Sequence, residues 1–145
     1  MMKNILVSID FDNNEDLLVT KALEFGKAFD AKIWFVHIAA PDPDFVGYDV
    51  GPQYIRDARA DELKDEHINL QEYSKMLNEN GIESEALLIQ GSTIEMINKE
   101  ANKLKADLII MGQNKKGFFY KTFFGSVSEN VMRNSQIPVL VIPFD

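Results

Sequence analysis

The stretch Met111-Gly112-Gln113-Asn114-Lys115-Lys116-Gly117, with Phe124-Gly125-Ser126-Val127-Ser128 after it, carries residue types that can hold an anion. An apolar run ends at Gly112, a basic polar segment follows, and Gly125-Ser126 leads into the last helical pattern. Glycine lets the backbone approach a ligand closely and tolerates unusual φ values. The first amides of a helix lack intrahelical partners and carry partial positive charge, which suits a phosphate. Lys115, Lys116 and Lys121 bring positive charge to a chain whose net charge is −8. Ser126 and Ser128 offer hydroxyl donors for phosphate oxygens. The same glycines could instead shape a turn and Ser126 cap a helix. Physics alone leaves both readings open.

Such a segment needs strands and helices to hold it. Ile5–Ile9, Ile33–Ile38, Leu87–Ile89, Leu108–Met111 and Val139–Ile142 are apolar runs without polar alternation, as strands covered on both faces would be. Between them the spacing turns helical. Leu18, Ala22, Phe25 and Phe29 step by 4, 3 and 4 behind Glu15 and Asp16. Leu63, Leu70, Tyr73 and Leu77 mark a longer helix that Gly81 should stop. Ile94, Ile97, Ala101 and Leu104 follow Ser92 and Glu95, a capping box, and Ser126 with Glu129 repeats that signature. The expected order is β-α-β-α-β-α-β-α-β: an α/β fold with an open, twisted parallel sheet and helices on both faces. Residues 41–52 fit neither period and read as a long loop. No repeat or linker divides the chain, so residues 1–145 read as a single domain.

In open α/β sheets the ligand crevice lies beyond the C-terminal strand ends, where strand order reverses. Asp10, His37–Ala40, Gln90–Gly91 and Gly112–Gly117 are therefore the places to look. Composition narrows the partners. The acidic balance argues against nucleic acid, which needs clustered Lys and Arg. The absence of Cys removes disulfides, thiolate metal sites and Cys nucleophiles. No uncharged run is long enough to span a membrane and the N-terminal apolar run is too short for a secretory signal, so the expectation is a cytoplasmic protein. His37 and His67 are too far apart in pattern for a metal pair, and a lone His ending an apolar strand reads as a satisfied buried residue. Trp34 reads as core, and Glu62, Lys64, Asp65 and Glu66 as an exposed helix face. Asp42, Asp44 and Asp49 could attract a metal but read first as solvated loop carboxylates, and the aromatic run Phe118–Phe124 as core or interface.

Taken together these residues resemble the universal stress protein family, over essentially the whole chain. Its nucleotide-binding members carry Gly, two residues, Gly, nine residues and Gly-Ser or Gly-Thr. Here Gly112 is followed thirteen residues later by Gly125-Ser126, then Val127-Ser128-Glu129-Asn130-Val131. Ile5-Leu6-Val7-Ser8-Ile9-Asp10, Val36-His37-Ile38 and the closing Gln136-Ile137-Pro138-Val139-Leu140-Val141-Ile142-Pro143 also fit. The family's second glycine falls on Lys115, with Gly117 two positions later. Either a lysine sits where backbone freedom is wanted, or the loop is re-shaped around Gly117 and Lys115 meets a phosphate.

The resemblance implies a Rossmann-like sheet of five strands in the order 3-2-1-4-5. It implies ATP or AMP as bound ligand, with or without magnesium, and no redox cofactor. Asp10, with Ser8 and Ile9 before it, would hold the ribose. Ile38 would offer its backbone to the adenine edge. Met111, Gly112, Gln113, Asn114, Lys115 and Gly117 would line the sugar and phosphate channel. Gly125, Ser126, Val127 and Ser128 would cradle the phosphates. Family members commonly pair the final strand with its own copy, which implies a homodimer through Val139, Leu140, Val141 and Ile142.

Three rivals fail on residues. A P-loop needs Lys-Ser or Lys-Thr after its second glycine, but Phe118 follows Gly117. A dinucleotide fold needs a glycine fingerprint after the first strand, where Phe11-Asp12-Asn13-Asn14 stands. A phospho-receiver resemblance would need an acceptor Asp in place of Leu88-Ile89-Gln90-Gly91. The leading reading is a homodimeric adenine-nucleotide-binding module of the stress response, with no catalytic residue and no metal ligand of its own. A slow magnesium-dependent ATP hydrolase and a nucleotide-free dimeric scaffold are the alternatives.

Overall fold

The apolar runs become strands of one sheet, buried in its three central strands and largely half-buried in its two edge strands. A computed structural model describes residues 1–11, 15–39, 53–114 and 127–144. Along the chain these form β1 (Asn4–Ser8), α1 (Glu15–Phe29), β2 (Lys32–Ala39), α2 (Gln53–Glu79) and β3 (Ser84–Gln90). α3 (Thr93–Lys103), β4 (Leu108–Asn114), α4 (Val127–Asn134) and β5 (Val139–Phe144) complete the order. All four strand pairings are parallel, and the sheet runs β3-β2-β1-β4-β5. This is the expected fold and strand order.

Alternate residues of each strand feed two cores. Ile5, Val7, Ile33 and Phe35 pack with Leu18 and Ala22 of α1 and with Leu70 and Leu77 of α2. Leu6, Val36, Ile109 and Met111 face the other way, onto Ile97 and Ala101 of α3 and Val131 of α4. Full burial of each large side chain is worth about 1.5–3 kcal/mol, so neither layer of helices is dispensable. The predicted stripes hold at their centres. Phe29, expected at the end of the α1 stripe, is instead 45% exposed and leans on Phe25, while Val19 takes an inward place. Phe29 keeps the stripe's direction, about 20° from Leu18 at 100° per residue, and differs from the other members in being the last residue of α1.

Gly81 ends α2 as expected. Its φ of +81° is a backbone state that other residues adopt at a cost, and the Ile82 N–H donates to the Leu77 carbonyl at 2.9 Å. Ser92 does precede α3 with an extended backbone, but its side chain makes no capping hydrogen bond. The capping box is therefore absent there, and only the ordinary first helical bond, from the Met96 N–H to the Ser92 carbonyl at 2.9 Å, is made. The second predicted box, at Ser126 and Glu129, lies outside the described side chains, as do the 41–52 loop and the Phe118–Phe124 run.

At the N-terminal end of the sheet, polar side chains close off the backbone. One Asp107 carboxylate oxygen accepts from the N–H groups of Lys3 (2.8 Å) and Asn4 (3.0 Å), and this holds its carboxyl below the usual range. Trp34, expected in the core, is half-buried: its indole N–H donates to Asn4 Oδ1 at 3.2 Å and the Lys32 ammonium sits 3.9 Å above its ring. Lys32 also pairs with Glu85 at 2.8 Å and Glu83 at 3.4 Å.

Candidate functional site

Strand order reverses between β1 and β4, and there the ladder opens. β1 and β4 are in register only from Ile5–Leu108 to Val7–Ile110. β4 continues beside β5 as far as Asn114–Phe144, while the chain after β1 follows β2, with the Ile9 N–H donating to the Val36 carbonyl at 2.9 Å. The two central strands therefore part at their C-terminal ends. Ser8, Ile9 and Asp10 line one side of the gap and Met111, Gly112 and Gln113 the other. Ser8, Ile9 and Met111 are buried, Gly112 and Gln113 half-buried, and Asp10 stands exposed at the crest. Asn114 is the last residue of β4, and Val127 and Ser128 are the first two of α4. Because β4 and β5 are parallel, α4 runs back between them and its N-terminus lies at this same end of the sheet. Lys115, Gly117, Gly125 and Ser126, also expected in the site, lie outside the described residues.

Beside the gap is a cavity of about 490 Å³ lined by Asp10, Phe11, His37, Ile38, Ala39 and, from α2, Glu62, Asp65, Glu66 and Asn69. Its size suits a small-molecule ligand. A larger cavity of about 590 Å³ lies between α2 and β3, away from the strand crossover, with the buried Ser74 hydroxyl unpartnered in its wall. The smaller one is the candidate site, because Asp10 and Phe11, just after β1, carry it to the edge of the gap between β1 and β4.

His37 is central to its wall, and it is a satisfied residue as expected. Nδ1 lies 2.6 Å from the Ile9 carbonyl oxygen and Nε2 lies 2.6 Å from Glu66 Oε2. A carbonyl only accepts, so Nδ1 carries its hydrogen and donates. The Phe11 ring meets the imidazole edge-on at 4.9 Å. Phe11 has φ +57°, a left-handed backbone that costs a bulky residue about 1–2 kcal/mol. A strained residue directly after Asp10 marks a turn fixed by its surroundings.

Glu66 corrects the sequence reading, which placed it on an exposed helix face. Its side chain is 17% exposed and turned to the sheet. The signal was there: counting back four residues from Leu70 in the stripe Leu70–Tyr73–Leu77 lands on Glu66, so it shares the inward face of α2. Among the described residues no group of three His, Cys, Asp or Glu is placed to hold a metal, and no helix is long and apolar enough to cross a membrane.

The profile described as "Universal stress protein family" matches residues 1–143. The chain belongs to the universal stress protein family. A universal stress protein of Thermus aquaticus is 31% identical over 145 residues, covering 98% of this chain and 99% of the relative. Among solved structures, a universal stress protein in complex with cAMP superposes with a TM-score of 0.72 at 19% identity, covering 99% of this chain and 98% of the other. The universal stress protein of Archaeoglobus fulgidus in complex with dAMP gives 0.62 at 18% identity, covering 98% of both. At such identities the likeness of these structures speaks to the fold alone.

Proposed function

We propose that this universal stress protein is a cytoplasmic, homodimeric adenine-nucleotide-binding module, not a catalyst, with its ligand at the parted ends of β1, β2 and β4. The observation that carries this reading is the gap itself, where Asp10 stands beside a cavity that reaches Ile38. An adenine edge meets the Ile38 backbone, an N–H donor and a C=O acceptor side by side, which match adenine's ring acceptor and amino donor. The Asp10 carboxylate accepts from the ribose hydroxyls. The cavity under α2 is lined by Glu62, Asp65 and Glu66 as well as Asp10, so phosphates are repelled from it. They lie on the other side, against Gly112 and the first amides of α4, where Gly125, Ser126 and Ser128 would join them. Lys115, at the family's second glycine position, would supply an ammonium to the same phosphates.

Two of the structures of like fold were solved with cAMP and dAMP, which supports an adenine nucleotide as the ligand class. β5 is an edge of the sheet, and pairing Val139–Ile142 with a second copy would cover it. The test is the nucleotide content of the gently purified protein, followed by calorimetric titration with AMP and ATP. Stoichiometric adenine nucleotide, or saturable binding that an Asp10→Ala substitution weakens at least about tenfold, is the expected result. No binding at millimolar ligand would leave a dimeric scaffold as the better reading. Magnesium-dependent phosphate release that survives purification to homogeneity would instead make the protein a hydrolase.

A further inference from the structure

In a parallel ladder the N–H and C=O of one residue address the same neighbour, and successive residues address opposite neighbours. In β2 the Val36 carbonyl accepts from the Ile9 N–H, so Val36 and Ile38 face β1; the Ala39 carbonyl accepts from the Gly91 N–H, so Ala39 faces β3. The next rung between β1 and β2 would be the Ile38 N–H donating to the Ile9 carbonyl. Yet the register stops at Ser8–Val36, one rung short. The Ile9 carbonyl is occupied by a side chain: His37 Nδ1 donates to it at 2.6 Å.

The imidazole is held in that position from two further sides. Glu66 of α2 grips Nε2 at 2.6 Å, and the Phe11 ring abuts the imidazole edge-on. The side chains of His37 and Glu66 are only 12% and 17% exposed, so water competes weakly for either contact. Ile38 sits next along β2, and among the described residues its backbone N–H has no strand partner. It lies on the wall of the candidate cavity.

We propose that His37 is a positioning residue which, by taking the Ile9 carbonyl, stops the β1–β2 ladder one rung early and leaves the Ile38 backbone open to the base of a bound nucleotide. Glu66 serves it by fixing the ring, which ties the middle of α2 to the recognition of the base. This inference rests on the nucleotide reading above.

The test uses two readouts on the full chain. His37→Phe keeps an aromatic ring against Phe11 but has no donor, so the ladder can close by one rung. In the nucleotide-free protein, the Ile38 amide should exchange at least about tenfold more slowly in His37→Phe than in the wild type, because it has gained a rung. AMP affinity should fall about tenfold, the worth of one lost hydrogen bond to the base, while ribose 5-phosphate, which has no base, binds as before. Glu66→Ala leaves the imidazole in place but unfixed, and should lower AMP affinity about threefold with the same indifference of ribose 5-phosphate. It also stands in should His37→Phe not fold. An unchanged preference for AMP over ribose 5-phosphate in both variants overturns the proposal. So does a parallel fall for both ligands with loss of thermal stability, which is what a purely structural histidine would give. If wild-type protein binds AMP no more tightly than ribose 5-phosphate, the base is not read at all and the nucleotide reading itself fails.

Discussion

The two ends of β1 treat their loose backbone groups in opposite ways. At the N-terminal end, Asp107 accepts the N–H groups of Lys3 and Asn4, and the Asp107 N–H returns a 2.7 Å bond to the Asn4 carbonyl. These backbone groups are spent inside the protein. At the C-terminal end, a side chain takes the carbonyl that would have extended the ladder, β4 turns away after Ile110, and a cavity forms. Carboxylates stand at both ends. Asp107 is tied to two backbone donors, whereas Asp10 stands exposed beside the gap.

That contrast can be broken by crossing two substitutions with two assays. Asp10→Asn should lower AMP affinity by about ten- to a hundredfold, since hydrogen bonds to a charged group are worth about 1.5–3 kcal/mol. Asp107→Asn should leave AMP titration curves almost where they were and reduce unfolding free energy by about 1 kcal/mol, read from urea midpoints. Each variant should show the smaller effect in the other's assay. If Asp107→Asn weakened AMP binding as much as Asp10→Asn, the two ends would not be separate devices.

A pH series sharpens the same point. The backbone hydrogen bonds from Lys3, then Asn4, pull the Asp107 carboxyl down in the folded chain. A depressed acid binds more protons unfolded than folded, so its stabilisation is complete above the ordinary carboxylate range. It then fades as pH falls through that range to the lower folded value. The stability gap between wild type and Asp107→Asn should therefore be widest near neutrality and shrink below about pH 4. A gap that stays constant down to pH 3 would mean that the charge of Asp107 plays no part.

The smallest expected effect is at Lys32. Its ammonium is held above its usual value chiefly by the hydrogen bond to Glu85, against the opposing pull of partial burial, with Glu83 adding to the rise. A raised base contributes fully below its unfolded value and loses that contribution as pH climbs through the folded one, so stability varies with its titration only above about pH 10. Lys32→Met should cost no more than about 1 kcal/mol at pH 7, because an exposed pair is screened by water and the stacking over Trp34 adds little. A larger loss in thermal unfolding would show that this end of the sheet depends on charge as well as on Asp107.

The fold was legible because its cores are simple. Five short unalternating apolar runs bounded by turn residues read as strands, the central three buried and those of the edge strands largely half-buried, and the α3 stripe through Ile97 and Ala101 faces the core as spaced. Asp10 and Ile38 were legible as lying at strand ends, since topology says where a crevice must open, whereas β4 runs on past Met111 and Gly112 to Asn114. What escaped was contact between distant elements. His37 and Glu66 are 29 positions apart on a strand and a helix, and periodicity assigns each to a face without saying that the faces meet. The left-handed turn at Phe11 carries no sequence mark either, because glycine or asparagine would be the expected residue there. Ser92 shows the converse: the motif is present, but the bond it advertises is not made.

The strand at the centre of the sheet is also the first to be synthesised. β1 finds β2 within about thirty residues, but its other partner, Leu108–Ile110, follows about a hundred residues later. At ordinary translation rates of about 5–20 residues per second, one flank of Ile5–Val7 waits about 5–20 s for its neighbour. Until then an intensely apolar edge, the future middle of the molecule, stands open to solvent and to other nascent chains. The growing chain is therefore at its most vulnerable to strand-pairing accidents just before β4 emerges, and a chaperone that shields β1 during that interval would protect the whole sheet.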